Sequence, residues 1–237
     1  MKFLLKKSSY QIFDDIFSLL YPRVCLACGN NIRAHEEAIC LTCQFKMPKT
    51  DFHEYRENPF TERFWGRVKL NCGSAFFYFG KGGKVQELIH NLKYNNKPEI
   101  GVRVGGLYGK VLGKSLFFRQ ADIIVPVPLH PRKKRMRGYN QSAVFAQGLS
   151  ESMNIPWMEA LRRTEMTETQ TKKDRISRFD NVKDAFEVAD PEFMKGKHIL
   201  LVDDVITTGA TIEACALKIL AVPGTKVSVV TIAFARQ

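Results

Sequence analysis

One stretch near the C-terminus constrains the fold more than any other: His198-Ile-Leu-Leu-Val202, then Asp203-Asp204-Val-Ile, then Thr207-Thr208-Gly209-Ala210-Thr211. A strand that is apolar without alternation is covered on both faces, which is the condition of a parallel sheet with helices on either side. The two carboxylates mark its end, because ionised groups do not continue into a dry interior. A small, hydroxyl-rich loop then opens a helix over residues 211–221. The chain before it alternates in the same way. Strands are expected at 74–79, 121–127 and 226–234, with the strand above at 198–202, and helices at 84–94, 100–117 and 140–152. The expected fold is α/β, a parallel sheet flanked by helices.

The N-terminal part reads differently. Ile12, Phe13, Ile16, Phe17 and Leu20 recur at helical spacing, so residues 9–20 are expected to form a short amphipathic helix. It leads into Cys25-Leu-Ala-Cys28-Gly and, after eleven residues, Cys40-Leu-Thr-Cys43. Two Cys-x-x-Cys turns, each bringing two thiolates towards one ion, suit tetrahedral zinc with Cys25, Cys28, Cys40 and Cys43 as ligands. The other readings are reduced structural cysteines or a redox pair. His35, between the pairs, is either a replacement ligand or a solvated loop histidine. A closed four-ligand zinc site stabilises a small fold and performs no chemistry, since no position is left for water. Cys215 shares a helical face with Ile212, Ala216 and Ile219 and is expected in the core, while Cys72 carries no pattern. Residues 48–72 show neither helical nor strand period and read as a linker. The expected division is an N-terminal helix and zinc module with linker over residues 1–60 and the α/β domain over 70–237.

The loop after Asp204 suits an anion. A helix N-terminus preceded by Thr207, Thr208, Gly209, Ala210 and Thr211 offers free backbone N–H groups, hydroxyl donors and the positive end of the dipole, which together hold a phosphate dianion. Asp203 and Asp204 would repel that phosphate and suit sugar hydroxyls or magnesium instead; the alternative is that they only cap the helix. A phosphate beside a diol points to a ribose 5-phosphate. In its order of strand, acidic pair and phosphate loop, the block resembles the signature of type I phosphoribosyltransferases, which bind 5-phosphoribosyl 1-pyrophosphate (PRPP).

Upstream, the apolar strand ending in Val125-Pro126-Val-Pro128 is followed by Arg132, Lys133, Lys134, Arg135 and Arg137, five cations within six residues and enough to neutralise a pyrophosphate. A second basic stretch, with Arg162, Arg163, Thr164, Thr169, Gln170, Arg175, Arg178 and Asn181, shows no period and reads as a mobile loop or ribbon. A solvated basic face is the alternative for both. Gly109-Lys-Val-Leu-Gly113-Lys114-Ser115 is not a nucleotide-binding loop, because it lies inside a helical pattern and lacks the first required glycine.

Together with the cysteine pairs and Ile89-His90-Asn-Leu-Lys93-Tyr94, these blocks resemble the ComF (GntX-like) family over residues 20–235. The resemblance implies a four-cysteine zinc module joined to a type I phosphoribosyltransferase-like domain. It implies that Arg132, Lys133, Arg135 and Arg137 lie in the pyrophosphate loop, that Arg163 and Arg175 belong to a flexible lid, and that Asp203 and Asp204 bind the ribose. The activity implied is magnesium-dependent pentosyl transfer from PRPP with release of pyrophosphate. No residue announces the acceptor base. The resemblance also implies an alternative: a non-catalytic accessory protein of DNA uptake in natural transformation, with a helicase partner and single-stranded DNA.

Composition sets the outer limits. With 25% charged and 45% apolar residues, collagen-like and wholly disordered chains are excluded. The formal charge of +12 favours polyanionic partners such as phosphate esters, nucleic acid or acidic membrane. No run approaches the roughly 18 apolar residues that a membrane-spanning helix needs, so no membrane insertion is expected. The start, Met1-Lys-Phe-Leu-Leu-Lys-Lys7, holds too short an apolar run for a signal-peptide core, and a cytoplasmic location is expected.

Overall fold

The computed structural model describes residues 23–33, 36–163 and 185–236. The expected helix at 9–20, His35 and the lid residues 164–181, Arg175 among them, lie outside the described residues. In chain order the elements are α1 (Leu41–Lys46), a 3-10 turn (Phe52–Glu54), α2 (Pro59–Glu62), β1 (Cys72–Phe79), α3 (Lys84–Tyr94), α4 (Glu99–Leu112) and β2 (Ile123–Pro126). They continue with α5 (Pro131–Arg137), α6 (Gln141–Met153), β3 (Leu161–Arg163), β4 (Phe186–Val188), α7 (Pro191–Met194), β5 (His198–Ile206), α8 (Ala210–Leu220) and β6 (Lys226–Ala235).

Four strands form one sheet in the order β1-β6-β5-β2, and every neighbouring pair is parallel. The second basic stretch begins and ends in a separate antiparallel ribbon, β3 with β4. Successive residues of the sheet point to opposite faces, and both faces are covered. Ile124, Leu200, Val202, Val230 and Ile232 join one core with Leu88, Leu92, Val104, Phe145 and Leu149 of α3, α4 and α6. Val125, Ile199, Leu201, Val227 and Val229 join the other with Ile212, Cys215 and Ile219 of α8. This is why the strands carry no alternation, and each large apolar side chain so buried contributes about 1.5–3 kcal/mol. Cys215 is a core residue, as expected.

β5 does not stop at Val202 but runs on through both aspartates to Ile206. The apolar side chains end where expected, yet the ladder to β6 continues, with Asp203 opposite Thr231 and Ile206 opposite Phe234. The acids are therefore held on extended backbone at the rim of the sheet. Helix α4 ends at Leu112 instead of reaching residue 117. Gly113 closes it, and the Ser115 hydroxyl accepts from the Phe117 N–H (3.3 Å), turning the chain so that Phe118 is buried. Helices α4 and α6 meet at backbone contact: a Cβ on Gly148 would lie 2.1 Å from the Val102 carbonyl oxygen.

Two segments are more ordered than their sequence suggested. The basic turn after β2 is the helix α5, begun by His130, whose Nδ1 accepts from the Arg132 N–H (3.2 Å), and by Pro131. Gly138, at φ 78°, ends it. None of its residues is buried, so no apolar period announced it. The segment read as a linker folds onto the sheet. Phe52 meets the Tyr78 and Phe234 rings edge-on at 5.6 and 5.4 Å. Asn58 Nδ2 donates to the carbonyls of Phe52, Tyr55 and Gly73, while its Oδ1 accepts from the Phe60 N–H (2.9 Å). Packing of this kind, through aromatic rings and one buried amide, leaves no periodic signature. Among the described residues, no helix is long and apolar enough to cross a membrane.

Candidate functional site

The C-terminal ends of β2 and β5 lie side by side, the position at which open α/β sheets bind their ligands. At the tip of β5, Asp203 Oδ1 accepts from Ser142 Oγ (2.8 Å) and from the Asp204 N–H (2.9 Å). Ser142 is held in turn by Asn140, the N-cap of α6. The Asn140 Oδ1 accepts from the Ser142 N–H (3.1 Å) and its Nδ2 donates to the Val127 carbonyl (3.0 Å), which ties α6 to the end of β2. Asp204 pairs with Lys93 Nζ of α3 at 2.9 Å. Burial pushes Asp203 up to about 7, and the neighbouring Asp204 carboxylate adds to the rise, against the donors Ser142 and Asp204 N–H. Near neutral pH Asp203 is thus divided between its charged and neutral forms.

Beyond Ile206 the chain turns through exposed Thr207 and Thr208 to Gly209 and enters α8. Gly209 sits at φ 81°, and a Cβ there would lie 3.0 Å from the Phe64 ring, so the position is restricted to glycine on two counts. It caps the eleven-residue helix without any side-chain hydrogen bond. Thr208 Oγ1 reaches the Ala210 N–H only at 3.4 Å. The positive end of α8 is therefore presented to the loop formed by Thr207, Thr208, Gly209, Ala210 and Thr211, as a phosphate requires.

The residues that hold this loop from behind were not found in the sequence. Arg63 donates to the carbonyls of Thr207 and Ala235 and stacks over the Phe234 ring at 4.0 Å. Arg67 donates to the Thr208 carbonyl (3.1 Å) and pairs with Glu213 in the first turn of α8. Because the C=O and N–H of one planar peptide point opposite ways, carbonyls drawn to the arginines turn the N–H groups of Thr208 and Gly209 away from them. The available signal was two arginines one helical turn apart, inside a stretch that showed no period.

The expected pyrophosphate residues separate into groups. A pocket of about 600 Å³ opens between the end of β2, α5 and β3, and Lys134, Arg135, Arg162 and Arg163 line it together with Glu159. Arg135 and Arg163, from distant parts of the chain, therefore line one pocket, and Lys134 pairs with Glu159 at 3.2 Å. Arg132 and Lys133 are exposed on α5 and do not line the pocket. Arg137 turns towards α3 and α6: its Nη1 donates to Gln141 Oε1 (2.7 Å) and its guanidinium lies 5.3 Å from the Tyr94 ring. Magnesium usually takes one or two carboxylates and fills its shell with water and ligand phosphate oxygens. Asp203 and Asp204 supply that many, but each already has a protein donor. The pair fits an ion carried in with a phosphorylated ligand better than a bare one.

Ahead of the sheet, the ligand atoms of Cys25, Cys28, Cys40 and Cys43 lie within 4.8 Å of one another, with Cys28 and Cys40 Sγ 3.9 Å apart. Tetrahedral zinc with bonds of about 2.3 Å sets its sulfurs about 3.8 Å apart, so the cluster could hold zinc. The Cys40 N–H donates to Cys25 Sγ (3.3 Å) and the Cys43 N–H to Cys40 Sγ (3.4 Å). Burial raises the Cys25 thiol, but N–H donation from Cys40, Ala27 and Cys28 outweighs it and brings Cys25 down to about 7. Burial pushes Cys40 and Cys43 up, a cost that a bound cation would offset. Asn91 of α3 donates to the Leu26 carbonyl (2.9 Å) and so fastens the first knuckle to the sheet domain. Cys72, which carried no pattern, lies at the opposite end of the sheet, 3.0 Å from Ser228 Oγ, where burial pushes its thiol up to about 11.

The geometry defines an α/β protein with a parallel sheet flanked by helices, a strand-tip cradle suited to a phosphorylated ligand, and a four-cysteine cluster near its N-terminus. No family model matches the chain. It is 38% identical to Competence protein F of Haemophilus influenzae over 201 residues, which cover 80% of this chain and 87% of that protein. The chain belongs to the Competence protein F (ComF) family. It is also 37% identical to the DNA utilization protein YhgH of Escherichia coli over 140 residues, 56% of this chain, and spans 60% of the length of that relative. Competence protein ComFC of Bacillus subtilis is 29% identical over 211 residues, 85% of this chain and 80% of that protein. Among solved structures, the chain is similar to a glutamine PRPP amidotransferase from B. subtilis complexed with ADP and GMP, with a TM-score of 0.43 and 20% identity over 60% of this chain and 30% of that one. Likeness so loose assigns no role to any residue.

Proposed function

We propose that the chain is a PRPP-binding, phosphoribosyltransferase-like protein of the cytoplasm, which transfers a pentosyl group with magnesium and releases pyrophosphate. The observation that carries this reading is the tip of β5, where Asp203 and Asp204 stand on extended backbone, with four residues between Asp204 and the glycine that caps a helix N-terminus. In this reading Thr207, Thr208, Gly209, Ala210 and Thr211 hold the 5-phosphate, and Asp203 and Asp204 hold the ribose hydroxyls. Arg132, Lys133, Arg135, Arg137, Arg163 and Arg175 stabilise the pyrophosphate as it leaves ribose C1, where an oxocarbenium-like state develops. The shared pocket of Arg135 and Arg163 supports that assignment for these two residues. Magnesium, when bound with PRPP, would neutralise the departing oxygens. Zinc on Cys25, Cys28, Cys40 and Cys43 would be structural, fixing the N-terminal module against α3.

Pyrophosphate release from PRPP and magnesium, measured across a panel of bases, tests the proposal. Release that depends on one base class and disappears in Asp203→Ala/Asp204→Ala supports it. Equal release from both proteins removes the site assignment. A second reading, favoured by relatives named for competence and DNA utilization, is a non-catalytic accessory protein of DNA uptake that meets a helicase and single-stranded DNA. PRPP binding without release from any base would favour it. The +12 charge supports contact with a polyanion, and oligonucleotide binding at two salt concentrations separates strand capture from general attraction, which fades steeply with salt.

A further inference from the structure

A groove of about 710 Å³ runs along the seam between the cysteine module and α4. Val24, Leu26 and Ile32 line it on the module side, and half-buried Val102, Gly106 and Leu107 line it on α4. Two features of the helix wall are unexplained by the fold. A Cβ on Gly101, Gly105 or Gly109 would strike α6, but one on Gly106 would meet nothing within 4 Å, so a residue unfavourable in a helix stands where packing does not demand it. Arg103, on the same wall, keeps its Nε buried without a hydrogen-bond partner among the described residues.

The chain enters at the same place. Arg23 and Val24 line the groove, and the Arg23 carbonyl accepts from the Ile32 N–H (2.9 Å), so the start of the described chain is fixed at the groove's mouth. Residues 1–22 precede it. At about 100° per residue, Ile12, Phe13, Ile16, Phe17 and Leu20 fall within an arc of about 140°, and Asp14 and Asp15 flank that arc on either side.

We infer that residues 9–20 dock as a helix in this groove and clamp the cysteine module to α4. A short helix has little stability of its own until its apolar face is covered. The tether at Arg23 holds the stripe beside the groove at an effective concentration on the order of millimolar. Gly106 lets the docked helix approach closely, and the flanking aspartates supply an acceptor for Arg103. The clamp is independent of the function proposed for the strand tips.

The test uses the full, zinc-loaded chain. Lys110→benzoylphenylalanine, on the groove rim, is photolysed in a mixture of ordinary and heavy-isotope-labelled protein, and the linked peptides are read by mass spectrometry. Links to residues 9–20 of the same chain are expected. Links only to other segments, or none, overturn the inference; links between labelled and unlabelled chains do so by assigning the groove to a second copy. Phe13→Asp/Phe17→Asp should lower the yield of the link at least about tenfold, because burying a carboxylate is costly. Ser18→Asp, on the opposite side of the stripe, should leave it unchanged. Gly106→Arg fills the groove, and arginine favours a helix more than glycine does. It should speed chymotrypsin cleavage after Tyr10, Phe13 and Phe17 at least about tenfold, since docked bonds are cut only when they open. Equal cleavage in Gly106→Arg and the unaltered protein overturns the inference, as does an undiminished link in Phe13→Asp/Phe17→Asp. Should that double variant not fold, the cleavage comparison decides alone.

Discussion

Replacing Asp203 with asparagine should stabilise the protein at neutral and alkaline pH. The carboxyl titrates at about 7 in the folded chain against 3.8 for the free group, because burial and the Asp204 charge disfavour its ionised form. A raised carboxyl pKa contributes stability that is complete below the unfolded value and is lost as pH rises towards the folded one. The window of loss therefore runs from near 3.8 to about 7. A shift of about three units corresponds to about 4 kcal/mol at most. Asp203 keeps partial contact with solvent, which screens the effect, so about half of that, ~2 kcal/mol, is expected. Asparagine keeps the shape and the acceptor for Ser142 but cannot ionise. In a chain of this size ~2 kcal/mol moves the melting temperature by about 4–8 °C. Thermal melts of both proteins should coincide near about pH 4, diverge up to about pH 7 and stay apart above it, with the variant the more stable. His53 and His198, whose pKa values burial lowers, lose stability in the opposite direction as pH falls, and they cancel in the difference. Parallel curves over the whole range would refute the reasoning.

Three other outcomes follow from single sites. Gly209→Ala places a Cβ at φ 81° and 3.0 Å from Phe64, so it should cost about 1–2 kcal/mol in urea unfolding and weaken binding of ribose 5-phosphate in calorimetry. Cys43→Ser should lower zinc content, measured by elemental analysis of freshly reduced protein, from about one ion per chain to near none, and the melting temperature with it. Gly148→Ala drives a methyl group into the Val102 carbonyl, which forces α4 and α6 apart and should cost about 1–3 kcal/mol by urea unfolding.

How much of this was legible depended on which physical signal each element left. β5, α8 and the cradle were readable because unalternated Ile199–Val202, the acids and a glycine at the helix start are all local signals. The clustering of the four thiols was readable because two Cys-x-x-Cys turns are a local signal with fixed spacing. Helix α5 was not, since an exposed helix has no apolar face; its Pro131 and Gly138 were the usable marks. The 48–72 segment was misread because Phe52 and Phe64 are held by partners distant in sequence, Phe234 and Gly209, and Asn58 by backbone carbonyls that no side-chain pattern encodes. Arg63 and Arg67 share that cause: their partners are backbone carbonyls of the cradle, and no side-chain pattern encodes a carbonyl. Lys93 stood in view within the family-like helix, but its pairing with Asp204 needed the fold.

The central claim is that Asp203, Asp204 and the cradle beyond them bind a phosphorylated pentose with its magnesium, and calorimetric titration of PRPP and magnesium tests it most directly. The unaltered protein should bind and give heat. Asp203→Ala/Asp204→Ala removes two charged hydrogen bonds worth about 1.5–3 kcal/mol each, so its affinity should fall at least about a hundredfold. Equal heats from the two proteins, or none from the unaltered one, would contradict the account.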